Sequence, residues 1–132
     1  MIWKAAAILI KENKLLIVKS TKGSTWISPG GKYEKNETPE ECLSRELQEE
    51  LKIKLKKAIF YKTYQEKTAV FDGVPLQLDL FFVEYEGILS PASEILECYW
   101  ATPEEVLTKK LNVASGIQRL VPDLIEDGYL KN

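Results

Sequence analysis

Thr38-Pro39-Glu40-Glu41 commits this chain to a helix and fixes where it starts. Thr38 is a good N-cap, Pro39 suits the first helical position, and Glu41 follows three residues after Thr38, completing a capping box. The pattern predicts a helix from about Pro39 to about Leu51. At ~100° per residue, Leu43, Leu47 and Leu51 form one stripe. Glu46, Glu49 and Glu50, three and four residues apart, form the stripe beside it. One side of the helix can therefore enter a core while the adjacent side lines a cleft. Like charges at this spacing destabilise a helix by roughly 0.2–0.5 kcal/mol per pair. A cation between them would turn repulsion into attraction. The segment suits a hard divalent metal, and hence phosphate chemistry.

A charged helix face is usually no more than solvated. Two features set this one apart. Its acids are not interleaved with Lys at i+4, and they follow Pro29-Gly30-Gly31, a loop that can bring backbone amides and carbonyls close to a ligand. Arg45 stands four residues before Glu49 and can brace that carboxylate or reach back to Glu37.

The stretch from Gly31 to Ile53 resembles the Nudix box, Gly-x5-Glu-x7-Arg-Glu-U-x-Glu-Glu-x-Gly-U, where U is a bulky apolar residue. Gly31, Glu37, Arg45, Glu46, Leu47, Glu49, Glu50 and Ile53 fall in register. Lys52 stands where the family has Gly. That glycine ends the helix in a left-handed conformation, which costs a non-Gly residue roughly 1 kcal/mol.

The resemblance implies an α/β fold: a Nudix-like α/β/α sandwich with a mixed β-sheet between helices, formed as a single domain over residues 1–132. It implies a metal-dependent hydrolase that cuts the diphosphate bridge of a nucleoside diphosphate linked to a further group. The expected metal ligands are Glu46, Glu49, Glu50 and the Gly30 carbonyl, holding Mg²⁺ or Mn²⁺. Catalysis is expected from Glu46, Glu49 and Glu50 with one acid outside the box, for which Glu94 is the first choice and Glu97 the alternative. Gly31, Glu37 and Arg45 are expected to support the loop against the helix. Subgroup markers for ADP-ribose and diadenosine polyphosphate hydrolases are missing; Phe71 stands where the latter carry tyrosine. A nucleoside triphosphate, oxidised or not, becomes the leading substrate, cleaved to monophosphate and pyrophosphate. Dinucleotides, nucleotide sugars and RNA 5′ ends are the alternatives within the family. A non-catalytic nucleotide-sensing domain is a further alternative, although such domains tend to lose box acids. Isoprenoid diphosphate isomerisation would want a cysteine outside the helix, and only Cys98 is available. Family members are often dimers, so a homodimer is allowed.

Composition limits the remaining chemistry. The chain has no His, which excludes His-based acid/base catalysis and His-ligated zinc, and its two cysteines, Cys42 and Cys98, make a structural zinc site a poor reading. They suggest reduced thiols and a cytoplasmic protein, with Cys42 as a small buried residue on the metal helix. A net charge of −2 gives no global attraction to nucleic acid or an anionic membrane, so no DNA partner is expected. No apolar run approaches the ~20 residues of a membrane span. The N-terminal apolar run contains Lys4 and lacks a cleavage signal, so it reads as a strand.

The other elements are legible by pattern. Trp3–Lys11 and Lys14–Ser20 form a hairpin about Glu12-Asn13. Lys54–Tyr64 is a strand. Thr68–Phe71 and Val74–Tyr85 form a second hairpin about Asp72-Gly73. Ile95–Trp100 is a short strand, and Thr102-Pro103-Glu104-Glu105 starts a short helix. Ala114–Asp127 is a helix that Pro122 should kink or split, stopped by Gly128. Trp26, Tyr33, Tyr61, Tyr64, Phe71 and Tyr99 could stack on a base, though each is more simply a packing residue. Asn112 and Asp123 could read base edges, and Lys4, Lys19, Lys22 and Lys32 could meet phosphate.

Overall fold

The computed structural model describes residues 1–67 and 73–132. The strands are β1 (Ile2–Ile8), β2 (Ile10–Lys11), β3 (Lys14–Ser20), β4 (Gly30–Lys32), β5 (Lys54–Lys67), β6 (Pro75–Glu86) and β7 (Ile95–Ala101); the helices are α1 (Pro39–Leu51), α2 (Pro103–Leu107) and α3 (Ser115–Glu126). The strands fall into a four-stranded mixed sheet, β4-β1-β6-β5, and a three-stranded sheet, β2-β3-β7. Among the described strands, only the β1–β6 pair is parallel.

The run expected as one strand over Trp3–Lys11 therefore serves both sheets, β1 in one and β2 in the other. The turn that follows is as anticipated: Glu12 and Asn13 both take positive φ, 51° and 61°. That combination matches the twist of a two-residue hairpin.

Alternation along the strands divides the interior in two. Ala5, Ala7, Leu16, Val18 and Phe81 face α1, which answers with Cys42, Leu43, Leu47 and Leu51. Ala6, Ile8, Leu15, Ile17, Leu78 and Leu80 face the other way, onto Val106, Ile117, Leu120, Val121 and Leu124 of α2 and α3. Helices thus cover both faces, and the chain is an α/β/α sandwich. Leu43, Leu47 and Leu51 are completely buried. Each contributes on the order of 1.5–3 kcal/mol by leaving water.

Three expectations need correction. Strand β5 continues past Tyr64 to Lys67 and pairs antiparallel with β6 from Lys54 opposite Glu86 to Lys67 opposite Pro75. The partner of β6 is thus β5, and Thr68–Phe71, with Asp72 of the expected turn, lies outside the described residues. Gln65 bonds Gln77 across the ladder and Glu66 pairs with Arg119, so polar residues extend the strand beyond its apolar pattern. Pro122 does not split α3, which runs unbroken to Glu126 with Val121 and Leu124 buried on either side of the proline. Burial of that face outweighs the ~3 kcal/mol a proline costs inside a helix.

At the end of α1, Lys52 adopts the left-handed conformation itself (φ 58°, ψ 33°), and its N–H bonds the Gln48 carbonyl. The helix stops where the family's glycine would stop it, with a lysine bearing the strain.

Candidate active site

The start of α1 is built as its sequence indicates. The Thr38 hydroxyl accepts from the Glu41 N–H at 3.1 Å, and the Glu41 carboxylate accepts from the Thr38 N–H at 2.9 Å. The helix lies against β4, whose two glycines have different reasons to be glycine. At Gly30, φ is +140° and a Cβ would lie 2.1 Å from the Ala5 carbonyl oxygen on β1. At Gly31, a Cβ would fall 2.4 Å from the Glu46 carboxyl carbon. The Glu46 carboxylate thus rests directly on the Gly31 backbone.

Arg45 ties this loop to the helix. Its Nε donates to Glu37 Oε2 at 2.8 Å and its Nη2 to Glu37 Oε1 at 2.9 Å. Nη1 donates to Glu46 Oε1 at 2.7 Å, and Nη2 also reaches the Lys32 carbonyl at 3.0 Å. Glu49, four residues on, stands 3.8 Å from Nη1 with its side chain 55 % exposed. Of the two partners the sequence offers Arg45, Glu37 therefore receives the two-pronged bond. The guanidinium holds the Glu37 carboxyl down at about 2, and the Glu34 N–H adds to this. Cys42 lies beneath, its Sγ 3.5 Å from the Gly31 carbonyl. Burial pushes its thiol up to about 12, so it is a packing group and not a nucleophile.

Glu50 accepts from the Gly30 N–H at 3.1 Å. Burial drives its carboxyl well above the usual range, the Gly30 bond opposes this, and the neighbouring Glu46 carboxylate raises it further. A buried acid beside a second acid is an electrostatic cost that a cation would remove.

Glu46 and Glu50 open into a cavity of about 220 Å³ that Gly30, Gly31, Glu94 and three lysines (Lys4, Lys22 and Lys32) also line. Glu94 is brought there by the loop after β6: the Ala92 N–H bonds the Glu50 carbonyl and the Thr21 N–H bonds the Glu94 carbonyl, both at 2.9 Å. Its carboxylate pairs with Lys22 at 3.0 Å. Glu97 lies on β7, outside the lining, and pairs with Lys19 at 3.2 Å. Glu49 is also outside the lining. Ser20, Ile27 and Ile95 complete the cavity. No motif marks them; the β3–β7 pairing sets Ser20 opposite Ile95, and a bridge to Val18 brings in Ile27.

The aromatic candidates are occupied elsewhere. Tyr64 is buried in the α3-side core with its hydroxyl on Asp123, which removes Asp123 as a free reader of base edges. Tyr61 bonds Asp127, Tyr33 bonds Asp79 and Tyr99 bonds Glu105. Trp26 is buried beside Tyr99 and under the Lys19 ammonium, 4.8 Å from its ring centre. Asn112 bonds Thr25 Oγ1 at 3.3 Å. Phe71 lies outside the described residues. Cys98 is on β7 and does not line the cavity.

Carboxylate and carbonyl oxygens are the donors that hard divalent cations take. Glu46, Glu50 and the Gly30–Gly31 backbone therefore fit such a cation in donor chemistry and in unrelieved negative charge. Among the described residues no three acid or thiol side chains already converge on one point. Glu46 is turned to Arg45 and Glu49 to solvent. No helix among the described residues is long and apolar enough to cross a membrane.

Comparison with known proteins agrees with this architecture. The NUDIX domain family model matches residues 1–124. The CTP pyrophosphohydrolase of Escherichia coli K12 is 31 % identical over 112 residues, covering 81 % of this chain and 80 % of that protein. The 8-oxo-dGTP diphosphatase of Proteus vulgaris is 51 % identical over 53 residues, but the match spans only 37 % of this chain and 47 % of that one. Among solved structures, the E. coli ORF135 protein superposes with a TM-score of 0.75 at 28 % identity, over 96 % of this chain and 89 % of that one. The MutT protein of Methanosarcina mazei reaches a TM-score of 0.80 at 17 % identity, over 96 % of this chain and 94 % of that one, a likeness of fold. With Gly31 and its acids in register on this sandwich, the chain belongs to the Nudix family of hydrolases.

Proposed function

We propose that this protein is a divalent-metal-dependent pyrophosphohydrolase whose substrate is a nucleoside triphosphate, converted to the monophosphate and pyrophosphate. One observation carries the reading: a single cavity joins two carboxylates, Glu46 and Glu50, to the Gly30-Gly31 backbone and to lysines. That is the charge pattern needed to hold a polyanion through a cation. The similarity to a CTP pyrophosphohydrolase and, over part of the chain, to an 8-oxo-dGTP diphosphatase supports the triphosphate class.

Glu46, Glu50 and the Gly30 carbonyl would hold Mg²⁺ or Mn²⁺, with Glu49 joining by rotation of its exposed side chain. Bound there, the cation would polarise phosphoryl oxygens and neutralise charge that develops as the bridge breaks. Gly31 and Arg45 keep Glu46 in place, and Glu37 keeps Arg45 in place. Glu94 is the proposed acceptor of the attacking water's proton, because its carboxylate lies in the cavity wall on a loop of its own. Catalysis then rests on positioning and charge stabilisation.

The test is release of phosphate or pyrophosphate from nucleoside triphosphates (including 8-oxo-dGTP), ADP-ribose, dinucleotides and nucleotide sugars, with Mg²⁺, Mn²⁺ or EDTA. EDTA-sensitive turnover of triphosphates to pyrophosphate is expected. Turnover of another class alone would replace the substrate. Nucleotide binding by folded protein with no turnover of any would replace catalysis by sensing.

A further inference from the structure

Lys4 sits in an unusual place for a lysine. It is on β1, an inner strand flanked by β4 and β6, and it is half-buried where that strand borders the cavity. In the antiparallel β1–β4 register its Cα partner is Lys32. Directly opposed residues of such a pair project from the same face, and like charges there destabilise by roughly 0.2–1 kcal/mol. The third lysine of the cavity, Lys22, is held by Glu94 at 3.0 Å. Among the described residues no carboxylate comes within ion-pair distance of Lys4, and no hydrogen bond engages its Nζ. The two arginines, half-buried Arg45 and exposed Arg119, are treated differently. Arg45 is bonded to Glu37 and Glu46, and Arg119 pairs with Glu66 over the Tyr64 ring. A partly desolvated ammonium, opposed by a second lysine and helped only from beyond ion-pair distance by Glu50 and Glu46, is stabilised further when an anion enters the cavity.

We propose that Lys4 is a phosphate-binding residue of this site, whose ammonium takes the unesterified terminal phosphoryl group of the substrate and so favours triphosphates over substrates capped by a sugar. The substrate preference rests on the hydrolase reading; the anion site itself does not. A terminal phosphoryl group carries more charge and one more free oxygen than an esterified one. The Lys4 ammonium, in the cavity wall with Lys32, discriminates on that difference.

Binding of inorganic tripolyphosphate, measured by calorimetry in EDTA, isolates the lysine from metal and from turnover. Lys4→Met and Lys4→Gln should each weaken it by about tenfold, the scale of one charged hydrogen bond. Lys4→Arg should retain most of it, and Lys11→Met, on exposed β2, all of it. Neither neutral variant should melt below wild type, because removing one of two opposed charges relieves the β1–β4 pair. A lysine with a purely structural role would give the reverse, a lower melting temperature with unchanged affinity. In turnover, Lys4→Met should raise KM for a triphosphate about tenfold while leaving KM for ADP-ribose nearly unchanged. Equal tripolyphosphate affinity in wild type and the neutral variants, or none in wild type, overturns the assignment even if the protein hydrolyses nucleotides. Loss of binding in both neutral variants, in a protein that turns over no nucleotide, keeps the anion site and removes the hydrolase reading.

Discussion

The carboxylate of Glu46 occupies the space that a side chain on Gly31 would need, 2.4 Å from the position of its Cβ. Gly31 is therefore small for the sake of an acid on the neighbouring helix. Gly30, one residue earlier, is small for the sake of the backbone, because its Cβ would strike the Ala5 carbonyl oxygen.

The two glycines should fail differently on substitution. In Gly31→Ala the Glu46 carboxylate can rotate away at modest cost, so melting should change little while kcat/KM falls on the order of 10²-fold, as for a misplaced catalytic group. In Gly30→Ala neither the strand nor the positive φ can yield, and stability should fall by ~1–3 kcal/mol. Calorimetry and steady-state kinetics on both variants separate the cases. Wild-type activity in a folded Gly31→Ala protein would show that Glu46 need not be seated there.

The box helix was fully legible because each of its signals is local. The cap lies within four residues, the leucine stripe repeats along one helix, and Arg45 reaches partners in the same segment. The acidic stripe was legible as residues but not as a site. Glu49 and Glu50 are adjacent in sequence, yet one is turned to solvent and the other into the cavity. No local signal ranks Glu94 above Glu97; in the fold Glu94 lines the cavity and Glu97, on β7, does not. Lys4 carried no local signal, since its character comes from Lys32 across a strand pair and from Glu50 on a distant helix. The strand misreadings have the same origin. Gln65 and Glu66 look like loop residues until Gln77 and Arg119 are seen to satisfy them.

Lys52 bears left-handed strain that a glycine would not. Lys52→Gly should therefore stabilise the fold by roughly 0.5 kcal/mol, a gain of ~1 kcal/mol from relieved strain less the entropy glycine adds to the unfolded chain. Denaturant titration should show a higher midpoint at unchanged slope. A lower midpoint would mean that the Lys52 side chain contributes contacts worth more than the strain.

The Glu37–Arg45 pair makes stability depend on pH at the acid end. The folded carboxyl titrates at about 2, below its ordinary value of 4.5. A depressed carboxyl stabilises the fold fully above its unfolded pKa, and that stabilisation drains away as pH falls from about 4.5 to about 2. Glu37→Gln should melt lower than wild type above pH 4.5, and the two curves should converge towards pH 2. A constant gap between the two melting curves across this range would mean that the pair matters for shape and not for charge.

Glu50 should show the opposite sign, and this separates a functional acid from a structural one. Burial raises its carboxyl pKa in the folded state, so ionisation opposes folding and stability is lost as pH climbs above the unfolded value near 4.5. Glu50→Gln removes the charge and leaves an oxygen to accept from the Gly30 N–H. In EDTA at pH 8 this variant should melt at or above the wild-type temperature. With Mg²⁺ its kcat should nonetheless fall ~100-fold or more, the scale on which one group stabilising a transition-state charge acts. An acid retained against stability and needed for turnover is the expected trade at an active site. Near wild-type turnover in a folded Glu50→Gln protein would remove Glu50 from the proposed metal ligands. A lower melting temperature at pH 8 would instead make its bond to Gly30 a structural one.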